Sequence, residues 1–130
     1  EFTKNNIDRM DYSKLLRSKE RYWNKIDTEY VLIFQTDSCI CRFGIENFLK
    51  YDYIGAPYGG NPFQNKNLNI KIGNGGLSLR KKKSMLEILD HNPILEEKTV
   101  KYFEQTNEDL YFAYWLKKLD YNKIVHFSHY

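Results

Sequence analysis

The run Tyr30-Val31-Leu32-Ile33-Phe34, followed at once by Gln35-Thr36-Asp37-Ser38, constrains the fold of this chain more than any other feature. It is apolar throughout, rich in β-branched and aromatic residues, and too short for a helix. It therefore predicts a central strand buried on both faces, ending at Phe34. Such a strand needs a layer of helices against it, and the flanking patterns supply one. From Asp11 to Ile26 the residues Tyr12, Leu15, Leu16, Tyr22, Trp23 and Ile26 recur at roughly helical spacing, which predicts one helix with one buried face.

Beyond the first strand, residues 45–50 predict a short helix and Tyr51 to Ala56 a second strand. Pro57 to Asn69 reads as a polar loop. Asn74-Gly75-Gly76 leads into a strand at Leu77-Ser78-Leu79-Arg80, and Lys82 to Leu89 places Met85, Leu86 and Leu89 on one helical face. A short helix is expected around Val100 to Phe103, a longer one from Asn107 to Leu119, and a last strand over Lys123 to Phe127. Alternating strands and helices give an α/β domain, a layered central mixed sheet flanked by helices. At 130 residues the chain is sized for a single domain over 1–130, and 42% hydrophobic residues suffice for one core.

Several classes are set aside by composition. No apolar run approaches the roughly 20 residues that cross a bilayer, and the opening residues lack the apolar block of a signal peptide. Glu1-Phe2 without a methionine reads as a start inside a longer protein or at a cloning scar. Cys39 and Cys41 are too close to bridge easily, so a disulfide scaffold is excluded and a reducing, cytoplasmic compartment expected. With 20 Lys and Arg against 17 Asp and Glu, the net +3 gives no support for nucleic acid binding.

Four segments carry candidate chemistry, each with a plainer alternative. Asp37 stands just past a strand, where a carboxylate can hold a hard cation or merely make an Asx-type turn. Gly73-Asn74-Gly75-Gly76 lets a backbone approach a ligand, or makes a tight turn with a residue at positive φ. Arg80-Lys81-Lys82-Lys83 opposes the dipole of the helix it opens, as a solvated basic face or a phosphate clamp. Thr106-Asn107-Glu108-Asp109 is a good helix start, with Thr106 or Asn107 as cap; paired acids also supply a general base and a metal ligand. His126 and His129 would face opposite sides of a continued strand, so at most one is a ligand. A real catalytic site requires Asp37, the Gly75 region and Asp109 to converge on one cleft.

Taken in order, YVLIFQTDS (30–38), FLKYDYIGAPY (48–58), GNGGLSLRKKKSML (73–86) and NEDLYFA (107–113) resemble an uncharacterised glycosyltransferase-like domain of the GT-A type, found in giant viruses and other microbes. The resemblance spans about residues 12–128. It implies a metal-dependent glycosyltransferase that moves a sugar from a nucleotide diphosphate-sugar donor to a hydroxyl acceptor on a glycan or protein. In that comparison Asp37 is the metal ligand, with manganese or magnesium as cofactor and His126 or His129 completing the shell. Gln35 replaces the first acid of the Asp-x-Asp motif. Asn74, Gly75 and Gly76 line the sugar and acceptor site, with Arg80 and Asn107 also on the substrate. Asp109, beside Glu108, takes the acceptor proton. The nucleotide-binding βαβ unit that opens GT-A folds has no counterpart before Tyr30, which leaves a second function open: a non-catalytic sugar- or protein-binding module. A viral origin would place the chain in the host cytoplasm or the virion.

Overall fold

The computed structural model describes residues 7–57, 72–91, 107–119 and 124–125. The first helix, α1 (Arg9–Leu16), starts at Asp8, whose carboxylate accepts the N–H groups of Met10 and Asp11 at 2.9 and 2.8 Å. The helix expected to reach Ile26 stops at Leu16, and the chain re-forms as a 3-10 turn, Trp23–Lys25. Trp23 explains the break. Its indole N–H donates to the Leu16 carbonyl at 2.6 Å, satisfying an acceptor that the ended helix leaves open and folding Trp23 back into the core.

Strands β1 (Tyr30–Phe34), β2 (Tyr53–Pro57), β3 (Ile72–Lys81) and β4 (Ile124–Val125) form one sheet in the order β1-β3-β2-β4. Along that order β1 and β2 each pair antiparallel with β3, and the short β4 runs parallel to β2. β1 exists as expected but lies at the edge; the long β3 is paired on both sides. Within β1 only Ile33 is buried, and Phe34 is 63% exposed. An apolar run announces a strand with two apolar faces, not its rank in the sheet, and here Val31 packs on the helical core while Leu32 lies on the other face.

The helices α2 (Lys82–Asp90) and α3 (Glu108–Lys118) pack with β3 and with each other, and α1 meets α3. Their core comprises Trp23, Tyr53, Met85, Ile88, Phe112, Trp115 and Leu116. Trp23 meets Phe112 edge-on at 6.0 Å. Residues 45–50 form only a 3-10 turn, Ile45–Phe48, opened by Gly44 at φ 107°. The result is a small α/β domain. No strand precedes β1 among the described residues, and none of their helices is long and apolar enough to cross a membrane. The expected helix at 100–103, most of the loop at 57–69, Thr106, His126 and His129 lie outside the described residues.

Candidate functional site

The glycine segment is not a turn. Residues 73–76 run within β3, and a bulge does the work expected of the turn. Gly55 of β2 pairs with Ser78 while its neighbour Ala56 pairs with Asn74, so β3 carries extra residues between those two rungs. Gly75 is thereby released from β2, and its N–H donates instead to Asp109 Oδ2 at 3.0 Å, across 34 residues of sequence. Of the glycines in this segment only Gly73 has positive φ, 125°. Gly75 is glycine for space: a Cβ there would stand 2.8 Å from Arg80 Nη2, 2.9 Å from Asp109 Cβ and 3.0 Å from Glu108 Oε1.

Those three neighbours form a buried charged cluster. Arg80 is wholly buried, and its Nη2 donates to Glu108 Oε1 at 3.0 Å, its Nε to Ser78 Oγ at 3.0 Å. The guanidinium lies over the rings of Tyr53 at 5.0 Å and Phe112 at 5.7 Å. Its remaining nitrogen, Nη1, is buried without a hydrogen-bond partner among the described residues. Ser13 of α1 donates to Glu108 Oε2 at 3.4 Å. Burial opposes the charge of Arg80, but Tyr53, Glu108 and Asp109 together outweigh it and hold its pKa above the ordinary value. Asp109 accepts the N–H of Leu110 at 2.7 Å as well as that of Gly75. Burial, followed by the charge of Glu108, raises its pKa; the two N–H donors and Arg80 pull the other way.

On the β1 side, the N–H of Gln35 donates to the Gly76 carbonyl at 2.8 Å, and Ser38 Oγ donates to the same carbonyl at 3.0 Å. The N–H of Ser38 closes a turn on the Gln35 carbonyl at 2.9 Å, leaving Asp37 exposed in that turn. The Asp37 carboxylate makes no hydrogen bond among the described residues, so the turn is held by Ser38 and the backbone, not by an Asx side chain. The Asn74 carboxamide oxygen accepts the N–H of Gly76 at 2.9 Å, and the Gln35 side-chain oxygen lies 3.2 Å from where a Cβ on Gly76 would stand. Gly75 thus brings together Arg80, Glu108 and Asp109, and the next residue, Gly76, brings together Gln35, Asn74 and Ser38, with Asp37 exposed in the turn that Ser38 closes. Asn107 occupies the cap position of α3, but its side chain makes no capping bond.

The basic run divides. Strand alternation sends Arg80 inward and Lys81 outward, where Lys81 meets Glu29 at 3.6 Å; Lys82 reaches the Ile26 carbonyl at 2.5 Å and Lys83 pairs with Glu87 at 3.8 Å. They do not converge on one anion site. Ser13, Ser78 and Tyr53 also belong to the cluster, and no sequence motif includes them as functional residues. For Ser78 and Tyr53 the signal was the same alternation, which puts both on the face of Arg80. Nothing in the sequence marks Ser13, whose partner is 95 residues away.

The fold and the cluster define a small α/β domain with an acid pair and an arginine buried under a bulged glycine strand. The chain belongs to the family described as "Protein of unknown function (DUF5672)", whose model matches residues 1–127. No curated protein and no solved structure matches it.

Proposed function

We propose that this domain transfers a sugar from a nucleotide diphosphate-sugar to a hydroxyl acceptor on a glycan or protein, with a GT-A-like layering of its elements. The observation that carries this reading is the meeting of three sequence-remote segments on two consecutive residues: Gly75 takes Asp109, and Gly76 takes Gln35 and Ser38 beside Asp37. Catalysis by proximity requires a donor site and a base brought to one place in this way. Asp109 is the base of this reading; its raised pKa moves it toward the range in which a carboxylate accepts a proton efficiently. Gln35 and Asn74 offer carboxamides for sugar hydroxyls.

Among the described residues no three His, Cys, Asp or Glu side chains gather into a cation site. A magnesium- or manganese-type ion that arrives with the diphosphate commonly takes one or two carboxylates and completes its shell with phosphate and water. Asp37 is the exposed carboxylate available for that role, with His126 or His129 as further ligands. When bound, the cation would offset negative charge on the leaving diphosphate.

A second reading is favoured by one observation. Both Asp109 oxygens already accept main-chain N–H groups and the residue is buried, which suits a structural acid in a non-catalytic sugar- or protein-binding module. Calorimetry with manganese and a panel of nucleotide-sugars separates the two, run on wild type, Asp37→Asn and Asp109→Asn alongside donor hydrolysis and transfer assays. Transfer requires wild type to bind both, Asp37→Asn to lose the cation, and Asp109→Asn to bind but turn over slowly. A wild type that binds neither cation nor nucleotide-sugar leaves the module.

A further inference from the structure

We propose that Arg80 is the positioning residue of the candidate site: without touching ligand, it holds Glu108 and so sets Asp109 against Gly75. The role of Asp109 as base rests on the functional reading above; the positioning itself rests on geometry alone. The start of a helix is ordinarily fixed by a cap that satisfies its first N–H groups. α3 has Asn107 in the cap position without a side-chain capping bond. Its first residue, Glu108, is instead fixed from two sides, by Arg80 at 3.0 Å and Ser13 at 3.4 Å.

Arg80 has little freedom of its own. It is bonded through Nε to Ser78 on the same strand and lies over Tyr53 and Phe112. Ser78 and Arg80 belong to β3, the strand that also carries Gly75. One strand therefore presents both the N–H that Asp109 accepts and the cation that fixes the residue before Asp109. Because Glu108 and Asp109 are consecutive in the first turn of α3, a shift of one moves the other. This assigns Arg80 a task different from binding a phosphate, one for which its Nε and Nη2 are already engaged on Ser78 and Glu108.

The test uses the full chain with Arg80→Met, the pair variant Arg80→Met/Glu108→Met, and Arg80→Lys. The single methionine variant leaves Glu108 buried without its cation, which should cost stability; removing both charges together should restore much of it. The decisive readout is the Gly75 amide in a nitrogen–proton spectrum, read as its proton shift and its hydrogen-exchange protection. In a refolded pair variant that amide should move upfield and lose protection, as its bond to Asp109 loosens. In any assay that detects transfer, kcat should fall on the order of a hundredfold with KM little changed, the signature of misplaced chemistry. An unchanged Gly75 amide in the folded pair variant would show that the pair only packs, and the proposal fails. If the pair variant does not fold, Arg80→Lys decides, since an ammonium lacks the planar fork that holds Glu108 and Ser78 together: a shifted and less protected Gly75 amide supports positioning by that fork, an unchanged one refutes it. Absence of transfer in wild type would overturn the functional reading, while the Gly75 amide shift would still decide whether Arg80 positions Asp109.

Discussion

Gly75→Ala tests the account of the glycine strand directly. Its new methyl would lie 2.8 Å from Arg80 Nη2 and 2.9 Å from Asp109 Cβ, with Glu108 Oε1 at 3.0 Å, and all three residues are buried and tied into the cluster. None can swing into solvent to relieve the overlap. Overpacking of this kind costs about 1–3 kcal/mol, and loosening the charge-assisted bond from the Gly75 N–H to Asp109 adds about 1.5 kcal/mol. The reduced freedom of the unfolded chain returns only about 0.5 kcal/mol, so the net loss is about 3 kcal/mol. Gly76→Ala is the control one residue away. Its methyl would stand 3.2 Å from Asn74 Oδ1 and 3.2 Å from Gln35 Oε1. Gln35 is exposed and able to move, and the expected change is within about 1 kcal/mol. Urea unfolding of both variants beside wild type measures the difference, and for a domain of this size it corresponds to roughly 10 °C in Tm. Equal stabilities for the two variants, or a Gly75→Ala protein as stable as wild type, would refute the claim that space above the cluster dictates glycine.

Other consequences can be measured with the same tools. Asp109 has its pKa raised on folding, so its contribution to stability is fully present below the unfolded carboxylate pKa and is lost as pH rises through the folded value. Asp109→Asn should flatten that part of the stability profile on the acid side of neutrality, and a profile of unchanged shape would contradict the burial-driven shift. Tyr53→Phe keeps the ring beneath Arg80 but removes the hydroxyl that donates to the Gly73 carbonyl at 2.8 Å; thermal melts should show a loss of about 1 kcal/mol. Asp37→Asn, at an exposed turn, should stay within about 0.5 kcal/mol of wild type in urea, and a larger loss would mean that the carboxylate supports the fold.

Element types were legible in the sequence wherever one period dominated locally. β1 and β2 fall close to their apolar runs, and α2 and α3 follow the 3.6-residue patterns within a residue or two. What failed was long-range. The edge position of β1 depends on which strand pairs twice, and that follows from β3 being long enough to serve both neighbours. The α1 helix ends early because of an indole bond to Leu16, a contact that periodicity cannot register. At the site, Gly75 meets Asp109, one part of the expected convergence, by a means the sequence does not announce, while Asp37 lies in an exposed turn. Glycines that read as a turn are a bulge inside a strand, and an arginine that reads with its neighbouring lysines is the buried centre of the cluster. Adjacent positions in a strand face opposite ways, so a run of like charges in sequence need not be one patch in space.

The helix α3 has 11 residues and no capping bond from the Asn107 side chain, near or below the length at which an isolated helix holds together in water. It also carries two acids into a buried site, where they are tolerable only once Arg80 and the Gly75 amide are in place. On the folding pathway, α3 is therefore expected to consolidate late, after β3 has formed and the chain has closed a loop across the 28 positions that separate Arg80 from Glu108. Assembly of the candidate site would then coincide with the last stage of folding. Changes in the linking segment that slow loop closure should then delay the appearance of the site in step with tryptophan fluorescence in a Trp23→Phe background, where Trp115 reports on the same helix.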